Sequence, residues 1–239
     1  NKFNKIVVAN WKLNGSQEFA DNYFENLTQN FNNSETCGII CLPSTYLNAF
    51  KSKNKFLFLG AQDCSMYEKG AFTGEISAEM LKDNQCKFCI IGHSERRVRF
   101  YENNQDIKLK ATNLINNEII PIICVGETLE DKKARKTKEI IKNQIINSMP
   151  DNVNKNIIII AYEPIWSIGT GITPEFDEIE EIHAFIKSDI KGFSNYKILY
   201  GGSVNSKNAS KIFSLSGVDG ALVGGASLDP YELNNILKA

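Results

Sequence analysis

A chain of 239 residues with 27 Lys and Arg against 28 Asp and Glu has a net charge of −1, so no overall field favours nucleic acid or an anionic membrane as a partner. Its 42% hydrophobic and 23% charged residues are ordinary for a globular protein, and no apolar run approaches the roughly 18 residues needed to cross a bilayer. The expected setting is the cytoplasm: Asn1 to Lys5 is polar and leads into no signal core, and six cysteines (Cys37, Cys41, Cys64, Cys86, Cys89 and Cys124) are too sparse for a disulfide scaffold and are expected as free thiols. Two domains would fit this length, yet α/β barrels run to about 250 residues as one unit, so residues 1–239 are expected to form a single domain.

In chain order, eight short apolar runs read as strands: Lys5 to Asn10, Thr36 to Leu42, Phe56 to Gln62, Phe88 to Gly92, Ile119 to Val125, Ile157 to Glu163, Lys197 to Gly201 and Val218 to Val223. They are apolar throughout, as strands covered on both faces are. Helical patterns lie between them. Ser16, after the Asn14-Gly15 turn, is placed to cap a helix with the stripe Phe19, Tyr23, Leu27 and Phe31; a second stripe is Ile107, Ala111, Leu114 and Ile115. Thr173-Pro174 reads as the cap and first residue of a helix striped by Phe176, Ile179, His183 and Ile186, and Asp229-Pro230 begins another. Strands alternating with helices imply parallel pairing through right-handed crossovers. Eight such units suit a closed (β/α)8 barrel, with an open doubly wound sheet as the competing layout.

In a barrel the chemistry sits where strands end and turn polar. Those positions read Asn10-Trp11-Lys12, Gly92-His93-Ser94-Glu95, Tyr162-Glu163-Pro164, Gly201-Gly202-Ser203 and Gly224-Gly225-Ala226-Ser227. A lysine, a histidine and a glutamate converging beside two glycine-rich turns point to general acid/base chemistry next to a phosphate cradle. Each of these residues alone has a plainer explanation as a surface charge, a strand terminus or a turn glycine. His183 reads as packing or surface, Cys124 as a packed thiol, and Cys64 as a turn cysteine open to solvent. Cys86-Lys87-Phe88-Cys89 has redox spacing but runs into an apolar strand instead of opening a helix. Only His93 stands at a strand end as a possible metal ligand, so no metal and no cofactor are expected.

Nine segments resemble the triosephosphate isomerase family in order and spacing: Ala9-Asn10-Trp11-Lys12, Gly60-Ala61-Gln62, Gly70 to Ser77, Ile91 to Arg97, Cys124-Val125-Gly126-Glu127, Ala161 to Trp166, Gly169-Thr170-Gly171, Tyr200 to Val204, and Leu222 to Leu228. The resemblance implies a TIM barrel that interconverts dihydroxyacetone phosphate and D-glyceraldehyde 3-phosphate in glycolysis and gluconeogenesis. It implies Glu163 as base, made more basic by burial beside Trp166, and neutral His93 as electrophile. Lys12 and Asn10 would stabilise the enediolate, and Glu95 would orient the group. Gly169, Ser203, Gly224 and Gly225, with Asn10 and Lys12, would hold the phosphorylated substrate. The lid would comprise Pro164, Ile165, Trp166, Ser167, Ile168, Gly169, Thr170, Gly171, Ile172, Thr173 and Pro174. A homodimer is implied, with Thr73 reaching toward the partner's active site. The chain departs from the common family pattern at Leu13, Asp63, Tyr101, Ser167 and the lid hinge Ile172-Thr173-Pro174. Another phosphate-binding barrel or a noncatalytic descendant would be the alternatives; the second should have lost Lys12, His93 or Glu163.

Overall fold

The computed structural model describes residues 3–30, 35–50, 52, 54–151, 158–168 and 174–239. Eight parallel strands close on themselves in chain order: β1 (Lys5–Asn10), β2 (Thr36–Leu42), β3 (Leu57–Ala61), β4 (Phe88–Ile91), β5 (Ile120–Val125), β6 (Ile159–Tyr162), β7 (Lys197–Tyr200) and β8 (Gly220–Val223). The ring is completed by β8 against β1, with Ile6 opposite Gly220 and Ala9 opposite Val223. The closed barrel therefore displaces the open sheet.

Because strand side chains alternate, continuous apolar sequence fills two layers at once. Ile6, Val8, Ile39, Ile90, Ile122, Ala161, Leu199 and Leu222 belong to one buried cluster, which fills the barrel. Residues of the opposite parity, among them Val7, Ala9, Ile40, Leu42, Ile91, Ile123 and Ile160, join a larger cluster with the helices. Ile107, Ala111, Leu114, Ile179 and Ile186 in that second layer come from the stripes read in the sequence.

The surrounding helices are α1 (Gln17–Asn30), α2 (Ala78–Asp83), α3 (Ser94–Arg99), α4 (Asn104–Asn116), α5 (Leu129–Lys133), α6 (Thr137–Ser148), α7 (Phe176–Ser188), α8 (Ala209–Phe213) and α9 (Pro230–Lys238). Ser16 Oγ accepts the Phe19 N–H at 3.0 Å, and Asp229 accepts from Tyr231 and Glu232 behind Pro230, so two of the three helix starts stand as read. The third moves: α7 begins at Phe176 with Glu175 at its cap and no side-chain capping bond. Pro174 lies ahead of the helix, while Thr173, Phe31 and Ile157 fall outside the described residues.

All six cysteines are unpaired and buried, Cys64 included, contrary to its expected exposure. Cys86 and Cys89 flank the start of β4, and burial pushes the Cys86 thiol up to about 12, which makes it a poor nucleophile.

Candidate active site

The carboxyl ends of the strands bring Asn10, Lys12, His93 and Glu163 to one cavity of about 350 Å³, which Ser203, Gly224 and Gly225 also line. Asn10 is the last residue of β1 and is buried; its Oδ1 accepts the Lys12 N–H at 3.0 Å. That bond holds Lys12 at φ 54°, an unusual conformation for a side-chain-bearing residue. Lys12 Nζ then meets Glu95 Oε1 at 2.7 Å.

His93 is the cap residue of α3, and its Nδ1 accepts the Glu95 N–H at 3.2 Å. An accepting Nδ1 leaves the proton of the neutral ring on Nε2. Nε2 lies 3.0 Å from Glu163 Oε1, and the Ser94 N–H donates to Glu163 Oε2 at 3.1 Å. Burial opposes a charged imidazole, but the adjoining Glu163 carboxylate outweighs it and raises the His93 pKa. In this resting arrangement the pair shares a proton, while the Glu95 N–H favours the neutral tautomer.

Glu163 is 2% exposed, against 45% for the side chain of Glu95, so the two carboxylates occupy different dielectric settings. Its main chain is set by a 2.7 Å bond from its N–H to the Val125 carbonyl. Two glycines make its seat. A Cβ at Gly126 would stand 1.7 Å from the Glu163 carbonyl oxygen, and one at Gly201 would stand 2.8 Å from Glu163 Cγ. Glu95 is pushed up by burial, yet the bond from Lys12 and the nearby His93 prevail and lower its pKa.

The position of Trp166 is set by Glu127 and Lys132. Its indole N–H donates to Glu127 Oε1 at 2.8 Å and Lys132 Nζ stands 3.8 Å from the ring centre, so the ring is engaged with Glu127. Glu127 is 1% exposed and also receives the Tyr162 hydroxyl at 3.3 Å; burial raises its pKa. Of the lid, Ile165–Ser167 form one short 3-10 turn and Ile168 lines the cavity. Gly169, Thr170, Gly171, Ile172 and Thr173 lie outside the described residues.

Residue chemistry alone gave Glu127 no role and read Gly126 and Gly201 without seeing that they form the seat of Glu163. A signal for Glu127 existed in the polar end of β5. The glycines betray themselves only through interatomic distances. His183 is fully buried with Nδ1 3.2 Å from the Gly217 carbonyl, and burial lowers its pKa to about 4, as suits a packed neutral ring. Cys124 is fully buried and desolvation holds its thiol protonated. Thr73 is exposed on the loop 70–77, where Phe72 stacks on Tyr67 with ring centres 3.8 Å apart.

A buried carboxylate against an imidazole, at the mouth of a parallel barrel and facing a glycine-lined cavity, defines an acid–base barrel enzyme. Known proteins narrow the class. The family model described as triosephosphate isomerase matches residues 5–239. Curated relatives carrying that name include one from Francisella philomiragia, 38% identical over 98% of this chain and 96% of its own length. Another, from Mesomycoplasma hyorhinis, is 42% identical over 93% of each chain. A crystal structure of triosephosphate isomerase from Bartonella henselae superposes with a TM-score of 0.89 at 34% identity, covering 98% of both chains. The chain belongs to the triosephosphate isomerase family.

Proposed function

We propose that this isomerase interconverts dihydroxyacetone phosphate and D-glyceraldehyde 3-phosphate with Glu163 carrying the proton between the two carbons. The contact between His93 Nε2 and Glu163 Oε1 at the cavity is the observation that carries the reading. Substrate entering the cavity replaces that contact: the carboxylate takes a proton from the carbon bearing the hydroxyl, and the Nε2–H donates to the carbonyl oxygen, where negative charge develops. The hydroxyl proton passes to the former carbonyl oxygen through Nε2 of His93, which gives its proton to one oxygen and takes one from the other, while Glu163 returns its proton to the neighbouring carbon of the enediolate. Separating the two residues removes the carboxylate that raised the His93 pKa, which favours a neutral imidazole as donor. Lys12 adds fixed positive charge, Asn10 orients it, and Glu95 holds it in place.

Ser203, Gly224 and Gly225 form the described part of the phosphate cradle, with Gly169 as a further donor by family resemblance. A Cβ at Gly225 would meet no protein atom within 4 Å, so its backbone faces open space where an anion can approach. The lid from Pro164 to Pro174 would close over this anion and keep water from the intermediate. The reaction requires no metal or other cofactor in this reading. Replacing Glu163 by Asp retracts the carboxylate by about 1 Å and should lower kcat on the order of 100-fold while affinity for inorganic phosphate holds. Near-normal turnover in an assay with glyceraldehyde 3-phosphate and excess EDTA would remove Glu163 from this role.

Residues 1–239 are read as one catalytic domain, since every described strand joins one closed sheet. A homodimer is also proposed. The exposed loop bearing Thr73, the 98% exposed Leu13 and a cavity of about 300 Å³ between Leu13, Gln62 and Glu75 suit mutual insertion of two such loops. Thr73→Arg should yield monomers with little activity, and sedimentation of a fully active monomer would refute the arrangement. A cytoplasmic setting accords with six unpaired cysteines.

A further inference from the structure

Arg97 on α3 is mostly buried, yet its donors go to two carbonyls and one amide and not to a carboxylate. Nε reaches the Gly92 carbonyl at 2.8 Å, Nη2 the Cys124 carbonyl at 3.0 Å, and Nη1 the Asn104 Oδ1 at 2.8 Å. A guanidinium removed from water without a direct counter-ion costs stability unless its hydrogen bonds and field compensate. Burial lowers its pKa, opposed by Cys124, Glu163 and Glu102.

The two carbonyls are not arbitrary. Gly92 precedes His93 and turns the chain at φ 66°, so its carbonyl fixes the peptide from which the imidazole projects. Cys124 precedes Val125, whose carbonyl holds the Glu163 main chain. One rigid fork thus ties the backbone behind the imidazole to the backbone behind the carboxylate.

We infer that Arg97 is a positioning residue for proton transfer, fixing the ends of β4 and β5 against each other and biasing Glu163 with a permanent positive charge. The inference rests on Glu163 and His93 being the reacting pair. Titratable groups acting on that pair are Lys12 after β1, Glu95 and Arg97 on α3, and Cys124 on β5; Glu102, after α3, acts on Arg97.

Three variants separate geometry from charge. Arg97→Lys keeps the charge and loses the fork, so kcat should fall about 10-fold or more with the acid limb of kcat/KM unmoved. Arg97→Gln loses both. With the cation gone from beside the reacting pair, the anionic pair is less favoured, so the acid limb of kcat/KM should rise by roughly half a pH unit or more. Inhibition by inorganic phosphate should stay within about twofold in both, because the cradle is built elsewhere. Asn104→Ala removes the third contact, along with bonds of Asn104 to Ser148 and Asn143 on α6, and keeps the test open if Arg97→Gln does not fold; it should lower kcat a few-fold, and Ser148→Ala, which loses only the α6 side, should not.

Losses confined to melting temperature, or a kcat loss in Arg97→Gln with no shift of the acid limb, would make Arg97 merely structural and overturn the inference. Glu163→Asp run in parallel separates the two readings. If it loses turnover while all three variants stay within about twofold of wild type, only the role of Arg97 fails. If it keeps turnover, the site assignment itself fails.

Discussion

Two buried charge clusters sit on this barrel and behave in opposite ways. One is His93 with Glu163, whose oxygens meet an imidazole and a backbone N–H while the side chains face a cavity. The other joins Lys110, Asp63, Glu102 and Arg96. Lys110 Nζ contacts Asp63 at 2.8 and 3.0 Å and Glu102 at 2.6 Å, and Arg96 Nε contacts the same two carboxylates at 2.9 and 2.6 Å. Both clusters bury carboxylates, so burial by itself does not mark a reactive group. In the first, the partner can be exchanged for substrate. In the second, two cations pair with two carboxylates from four chain positions, with Glu102 Oε2 buried and lacking a hydrogen-bond partner among the described residues, and the network holds the segment after β3 against α4.

The comparison breaks most visibly if the second cluster is opened. Lys110→Met leaves two buried carboxylates with Arg96 as their shared cation, and stripping one partner from a buried network costs about 3–5 kcal/mol. Denaturant unfolding should register a loss of that order, while kcat of the folded protein at 25 °C stays near wild type. Lost turnover at unchanged stability would reassign the cluster to catalysis.

His93→Gln tests the opposite property. Glutamine offers a donor of similar reach, but without the Nε2–H held by the Glu95 N–H on the other side of the ring. Removal of one such preorganised donor costs about 100- to 1000-fold in kcat. Stability should change little, because glutamine at the cavity wall still offers a donor to the buried Glu163 carboxylate. A melting-temperature drop comparable with that of Lys110→Met, with turnover retained, would erase the distinction between the clusters.

How much of this was legible beforehand depends on where the information lies. The limits of β1 and β2 agree with the sequence because each is one uninterrupted apolar run; β6 and β8 are shorter than their runs because Glu163 and Val218 lie outside the paired strand segments. Short helices such as α5 and α8, of five residues each, carry no full periodic stripe and escaped the pattern. Glu163 and His93 were visible as polar residues ending apolar strands. The Lys110 cluster was not, because its members lie 6 to 47 positions apart and only the packing of α4 on the barrel brings them together. Arg97 stood in a recognised motif, but its hydrogen bonds to carbonyls leave no trace in residue type.

The smallest expected effect is also the sharpest for the second cluster. The Asp63 pKa is raised to about 6: burial raises it most, Glu102 adds to the rise, and Lys110 and Arg96 counteract it. A carboxyl that binds its proton more tightly when folded stabilises the protein as pH falls. Its contribution is therefore lost as pH rises from the unfolded value of about 4 through 6, and the ionised form is a net cost at neutral pH. Asp63→Asn keeps an acceptor for Lys110 and removes that cost. It should raise stability by about 1–2 kcal/mol at pH 8, equivalent to a few degrees in melting temperature for a chain of this size, with little gain near pH 4.5. Melting curves of both proteins at pH 4.5, 6 and 8 decide the matter. A lower melting temperature for Asp63→Asn at pH 8 would mean that the ion pairs with Lys110 and Arg96 outweigh desolvation, and that the fourth charge strengthens the cluster.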